Sequence, residues 1–141
     1  MRRVLLHLTA WLAVFAGWLV VTRPYHPTRT IAIGATAVLV SMSALATYAN
    51  QLVLVPRFAR RSGGRGYAVA ILVTVAALDL SAVLLISLIY AWLWHPDPLR
   101  FGFWFNVASD GVIIGGHVVA AWLLVLAIRF FRGGSPDPSP S

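Results

Sequence analysis

The sequence contains no cysteine, no lysine and no glutamate. Without cysteine there is no disulfide, thiolate metal site, iron–sulfur cluster or cysteine nucleophile. Without lysine the glycines of "RSGGRG" cannot form a nucleotide-binding P-loop, whose spacing they also lack. No serine lies in a G-x-S-x-G nucleophile motif. The four histidines, His7, His26, His95 and His117, do not line up as a bis-histidine haem pair within a membrane. His26, His95 and Asp97 on short loops are too loose a set to mark a metal site. The expectation is therefore a protein that is not an enzyme and carries no metal or cofactor.

Charge of either sign is also scarce. Only 11% of the chain is charged, where a soluble domain of this size carries about a quarter. What fills the space is apolar: 60% of the 141 residues are hydrophobic. They fall in four runs, about Val4–Val21, Thr30–Val55, Tyr67–Trp94 and Phe103–Phe131. A helix needs about 20 apolar residues to cross ~30 Å of hydrocarbon, so each run is a candidate span. The fold class expected is all-α: a polytopic membrane protein, a four-transmembrane-helix bundle over residues 1–132. The tail 133–141, "GGSPDPSPS", is disordered by composition. A cleaved signal peptide is the weaker reading of the first run, because its one small-residue site, Val14-Phe15-Ala16, lies inside the apolar stretch.

The arginines set the orientation. Arg2, Arg3, Arg57, Arg60, Arg61, Arg65, Arg129 and Arg132 flank one side of the four runs; Arg23, Arg29 and Arg100 flank the other. The positive-inside rule places both termini and the middle loop in the cytoplasm, in a bacterial inner membrane. Pro56 is expected to end the second helix, and Gly63, Gly64 and Gly66 to form a turn before the third. Trp18, Tyr25, Trp92, Trp94 and Trp104 are expected at the outer interface. The net charge of +7 points to anionic lipid headgroups rather than nucleic acid, because the arginines are spread around apolar runs and form no single patch.

Polar residues inside the runs carry the most information, because a polar group in hydrocarbon needs a partner. Thr36, Ser43, Thr47 and Asn50 share one face of the second helix by their spacing. Asn106, Asp110 and His117 share one face of the fourth. Asp79 and His117 lie near mid-membrane, ~18 and ~21 Å along their helices, so the expectation is that they pair. Asp110 would sit nearer the outer side. Gly111 and Gly115 form G-x-x-x-G, and Ala70, Thr74, Ala77 and Ser81 form a small-residue stripe on the third helix. These either join two copies as a homodimer or pack within one bundle.

The stretch "YANQLVLVPRFARRSGGRGYAVAIL" resembles a recurring membrane segment of LytS-like bacterial sensor histidine kinases. The matching residues are Tyr48, Asn50, Leu54, Val55, Pro56, Arg57, Arg60, Arg61 and Tyr67. The last span also resembles the one that leads toward the kinase in that family. The resemblance implies a sensing or signal-modulating domain of a two-component system, with a kinase or response regulator as partner. The family's Pro-His-Phe-x-Phe-Asn phosphoacceptor segment and ATP-binding module do not occur in these residues, so no kinase activity is implied. One alternative is a small four-span transporter or channel. Small multidrug exporters use a first-span glutamate, so Asp79 would have to serve here. Another is a structural accessory subunit of a membrane complex. If the orientation is right, a reporter enzyme fused at residues 62–64 reads as cytoplasmic; a periplasmic signal there overturns it.

Overall fold

The structure, a computed structural model, describes residues 2–59, 63–94 and 102–133. Four helices account for nearly all of it: α1 (Arg2–Thr22), α2 (Arg29–Ala49), α3 (Gly63–Leu93) and α4 (Phe103–Gly133). All four are long and apolar enough to cross a membrane. There is no strand among the described residues, so the all-α four-helix architecture stands. Arg60, Arg61, His95, Asp97, Arg100 and residues 134–141, which the sequence reading used, lie outside the described residues.

Local chemistry explains the ends. After a short 3-10 turn over Arg23–Tyr25, the Thr28 hydroxyl accepts the Ile31 amide at 3.2 Å and caps α2. Gly102, with φ +85, occupies the left-handed region ahead of α4, and its carbonyl accepts the Asn106 amide at 3.2 Å. Two expectations about the middle connection are corrected. Pro56 does not end the second helix; α2 continues as a π-helical segment, Asn50–Ala59, with Pro56 inside it. The wider turn relieves the clash a proline ring makes with the carbonyl four residues back in an α-helix. Gly63, Gly64 and Gly66 do not form a turn but open α3. A helix is the conformation that satisfies its own backbone groups near lipid, and this outweighs the modest cost of glycine in a helix.

α2 is the central element and contacts α1, α3 and α4. Half of its most apolar window is buried, against none of that of α1. Small residues on α2, including Ala32, Ala35, Ser43 and Ala46, are buried and let the neighbouring backbones approach. Leu39, Ala46, Ala82, Ile114 and Val118 form the buried apolar core shared by α2, α3 and α4. α1 lies at the periphery. Outward residues such as Leu72, Leu84, Val112 and Leu124 are exposed, as expected where lipid covers the surface. Trp92 and Trp104 are exposed too, near the ends of their helices.

The G-x-x-x-G motif is used inside the bundle. A Cβ added at Gly111 would lie 3.2 Å from Oδ2 of Asp79, and one at Gly115 would touch Val75 at 4.0 Å. Both glycines therefore face α3 of the same chain. A side chain at Gly111 must push into a short, buried carboxylate, whereas at Gly116 a Cβ meets nothing within 4 Å. Gly111→Val is expected to destabilise the detergent-solubilised protein by about 1–3 kcal/mol. Gly116→Ala, free of that contact, should match or exceed the parent in a thermal-unfolding assay.

Candidate functional site

The polar residues of the bundle fall into three groups along its axis. At the arginine-rich end, the Tyr67 hydroxyl of α3 donates to Oδ1 of Asn50 at 2.8 Å. Asn50 is fully buried and sits where α2 passes into the π-helical segment, its amide shared between the Ala46 and Thr47 carbonyls. Tyr48 accepts the Trp11 indole N–H at 3.0 Å, and its hydroxyl lies 3.0 Å from Nδ1 of His7. Two α1 residues are thereby tied to α2. Of the residues singled out in the sequence as one motif, Asn50 and Tyr67 are joined to each other, whereas Tyr48 is tied to α1 and Pro56 lies within the π-helical segment. Arg57 projects from the same segment, exposed.

Midway along the bundle, His117 of α4 is the meeting point. Its Nε2 lies 3.2 Å from the Trp18 indole N–H, and its Nδ1 lies 2.8 Å from the Ile113 carbonyl. An indole N–H can only donate and a carbonyl can only accept, so the ring carries its proton on Nδ1. The imidazole lies against both indoles, with centroids 6.1 Å from Trp11 and 6.0 Å from Trp18. The expected Asp79–His117 pair is not formed. Asp79 faces Gly111 instead, and the six residues from 111 to 117 rotate the helix by about 240° net. Depth along the helix put the two close; azimuth keeps them apart.

Asp79 is only 4% exposed, and its Oδ1 has no hydrogen-bond partner among the described residues. Thr47 Oγ1 is likewise buried and unbonded, whereas the Ser43 hydroxyl returns to the Leu39 carbonyl at 2.9 Å. Gly111, which Asp79 lies against, is the residue that follows Asp110. Two carboxylates thus sit within electrostatic reach of each other, and no basic side chain offsets them among the described residues.

Toward the arginine-poor end the helices part around a cavity of about 380 Å³, within the size range of small-molecule sites. α4 contributes Phe105, Asn106, Ser109 and Asp110; α3 contributes Val83, Ile86 and Tyr90; α2 contributes Thr36 and Leu39; and α1 contributes Trp18 and Thr22. Thr22 and Thr36 hydroxyls are 2.9 Å apart and close α1 onto α2. His26, which also lines the cavity, hydrogen-bonds the Tyr90 hydroxyl through Nδ1. Trp18 lies in the wall of the cavity at this end, with its indole N–H directed to Nε2 of His117. Asn106 and Asp110 meet in the cavity as their shared face implied, with His117 below.

The sequence reading missed the contribution of α1. His7, Trp11, Trp18 and Thr22 are spaced four, seven and four apart, which puts them on one helical face. That spacing was the available signal. Comparisons with protein-family models, curated proteins and solved structures each found no match.

A buried carboxylate without a partner is costly to stability, and functional sites are where such costs are retained. Asp79→Asn, which keeps the shape and lowers the desolvation cost, is expected to raise the thermal midpoint; a fall would reveal a partner for the carboxylate. Tyr67→Phe should lower stability by about 0.6 kcal/mol and at most ~1.7, the measured span for such bonds in membranes.

Proposed function

We propose that this chain is a sensing or signal-modulating membrane domain of a bacterial two-component system, oriented with both termini in the cytoplasm. The observation that carries the reading is a continuous run of contacts between the cavity and Tyr48, at the arginine-rich end of α2. Trp18 lines the cavity and bonds His117; His117 packs on Trp11; Trp11 bonds Tyr48. The far end of this run is the segment that resembles LytS-like sensor kinases. An occupant of the cavity that displaces the Trp18 ring acts on His117 and, through Trp11, on Tyr48 beside the π-helical segment. The output is a shift of α1 against α2 and α4, a change between two packings of the bundle, read by a kinase or response regulator on the cytoplasmic side. The concentration of arginines at that end supports the orientation.

A second reading, a small transporter, is favoured by one observation. Asp79 lies against Gly111, next to Asp110, and Asp110 lines a cavity toward the arginine-poor end. It expects proton-coupled solute flux in proteoliposomes that disappears in Asp79→Asn.

The sensing reading is tested by labelling the four tyrosines with fluorine and replacing Trp18 by Phe, which deletes the indole donor. The fluorine resonance of Tyr48 should move although Tyr48 and Trp18 make no direct hydrogen bond. The control Trp122→Phe, at an exposed ring, should leave it in place. A Tyr48 signal indifferent to Trp18 would remove the relay and the reading with it.

A further inference from the structure

We propose that the cavity is a binding site for a small organic ammonium cation with an apolar or aromatic body, its charge at Asp110 and its body among Trp18, Tyr90 and Phe105. The inference rests on the reading of the cavity as a receptor site and names its ligand class.

Three features select a cation. The first is the charge of the wall. Asp110 lines the cavity, and a second carboxyl group, that of Asp79, lies against the adjacent Gly111. The nearest arginine in sequence to the lining residues of α1 is Arg23, whose guanidinium donates to the His26 carbonyl at 3.2 Å. That bond lies at an exposed position, where solvent screens the arginine's charge, so an anionic ligand inside the cavity would face the Asp110 carboxyl with no arginine among the described lining residues. The second is the buried oxygen of Asp79 that has no hydrogen-bond partner. It lies against Gly111, one residue from Asp110, so a second carboxyl group stands next to the one in the lining. The third is the lining itself. Indole and phenol rings from α1 and α3 and a phenyl ring from α4 surround the space, and the faces of such rings attract cations, most strongly when the cation is desolvated.

The same features argue against a metal ion. No cluster of three or more His, Cys, Asp or Glu side chains that could hold one occurs among the described residues. A hard divalent cation needs six or more oxygen ligands, whereas Asp110, Asn106 and Ser109 offer few on one helix face. An alkylammonium group with no N–H to satisfy needs only a carboxylate and ring faces. A neutral apolar occupant would fill the volume but leave Asp110 facing hydrocarbon, which is costly.

The test uses the full chain in nanodiscs of zwitterionic phosphatidylcholine, so that lipid charge does not capture the probe. The probe is radiolabelled benzyltrimethylammonium. The competitor is neopentylbenzene, which has the same shape with carbon in place of nitrogen. Saturable binding above empty discs is expected, displaced by unlabelled benzyltrimethylammonium and not by the neutral isostere. Asp110→Asn should weaken binding about tenfold or more, while Asp110→Glu retains it. Because the isostere comparison needs no variant, it decides the matter even if Asp110→Asn misfolds. Absence of saturable binding, equal displacement by the isostere, or full affinity in a folded Asp110→Asn variant overturns the cation assignment. Ile86→Trp, which fills the cavity, separates the two levels. If it abolishes binding while the isostere competes equally, the cation class falls and the receptor cavity stands. If binding survives it, the cavity is not the site and the receptor reading falls as well.

Discussion

A carboxylate carried into the apolar interior of a helical bundle must be enclosed by protein, and Asp79 is enclosed by a glycine. The absence of a side chain at Gly111 is what lets α4 come within 3.2 Å of Oδ2, measured from where a Cβ would stand. That approach fixes the α3–α4 contact and, through it, the rotation of both helices about their axes. Gly115 continues the contact onto Val75, and Ala82, Ile114 and Val118 close the core around it. Toward the other end, Asn106 and Phe105 replace glycine on α4, and the cavity opens there. The tight point and the open space are thus two consequences of one residue pattern: small side chains where the acid is buried, large ones where room is left.

The four helices are not held alike. α2, α3 and α4 share an apolar core, and α2 presents a wholly buried polar stripe in Thr36, Ser43, Thr47 and Asn50. α1 buries none of its most apolar window. It is attached by individual polar and aromatic ties: His7 and Trp11 at Tyr48, Trp18 at His117, Thr22 at Thr36. In lipid there is no hydrophobic gain from pressing one apolar helix against another, and each interhelical hydrogen bond contributes about 0.6 kcal/mol on average. α1 is accordingly the element with the least to lose by moving.

Much of this was legible in the sequence. Hydrophobic run length gave the four spans, and the 3.6-residue period gave the buried face of α2, because both follow from backbone geometry. The Tyr48–Asn50–Tyr67 grouping was visible as a motif, although the Tyr67–Asn50 hydrogen bond was not. Pro56 and Gly63–Gly66 misled because their turn preference is a property of chains in water. Next to a membrane, continuing the helix satisfies backbone groups that a loop would expose. Asp79 and His117 were placed at similar depth, but one-dimensional spacing says nothing about which neighbour a face meets. Trp18 was read only through the interfacial habit of tryptophan; its tertiary partner, Nε2 of His117, was not visible in the spacing. A cavity is defined by what several helices leave unfilled together, and no single stretch of sequence encodes it.

His117 connects these parts because both of its nitrogens are committed. Nδ1 donates within α4 to the Ile113 carbonyl and fixes the ring plane; Nε2 is left as the acceptor for Trp18. The ring is therefore set by α4 and read by α1. Trp18 cannot leave His117 without leaving its indole N–H unpaired in an apolar interior, a cost of about 1–3 kcal/mol. Nor can it stay if a cavity occupant takes its place. On the proposed reading, that competition would give α1 two positions, with and without the Trp18–His117 bond. Because Trp11 and His7 lie on the same face of the same helix and both bond Tyr48, either position would reach Tyr48 at the opposite end on that reading. A peripheral helix with few ties, one of which borders the ligand space and another the motif, is the simplest arrangement by which this bundle would convert occupancy into a change at the α2–α3 connection.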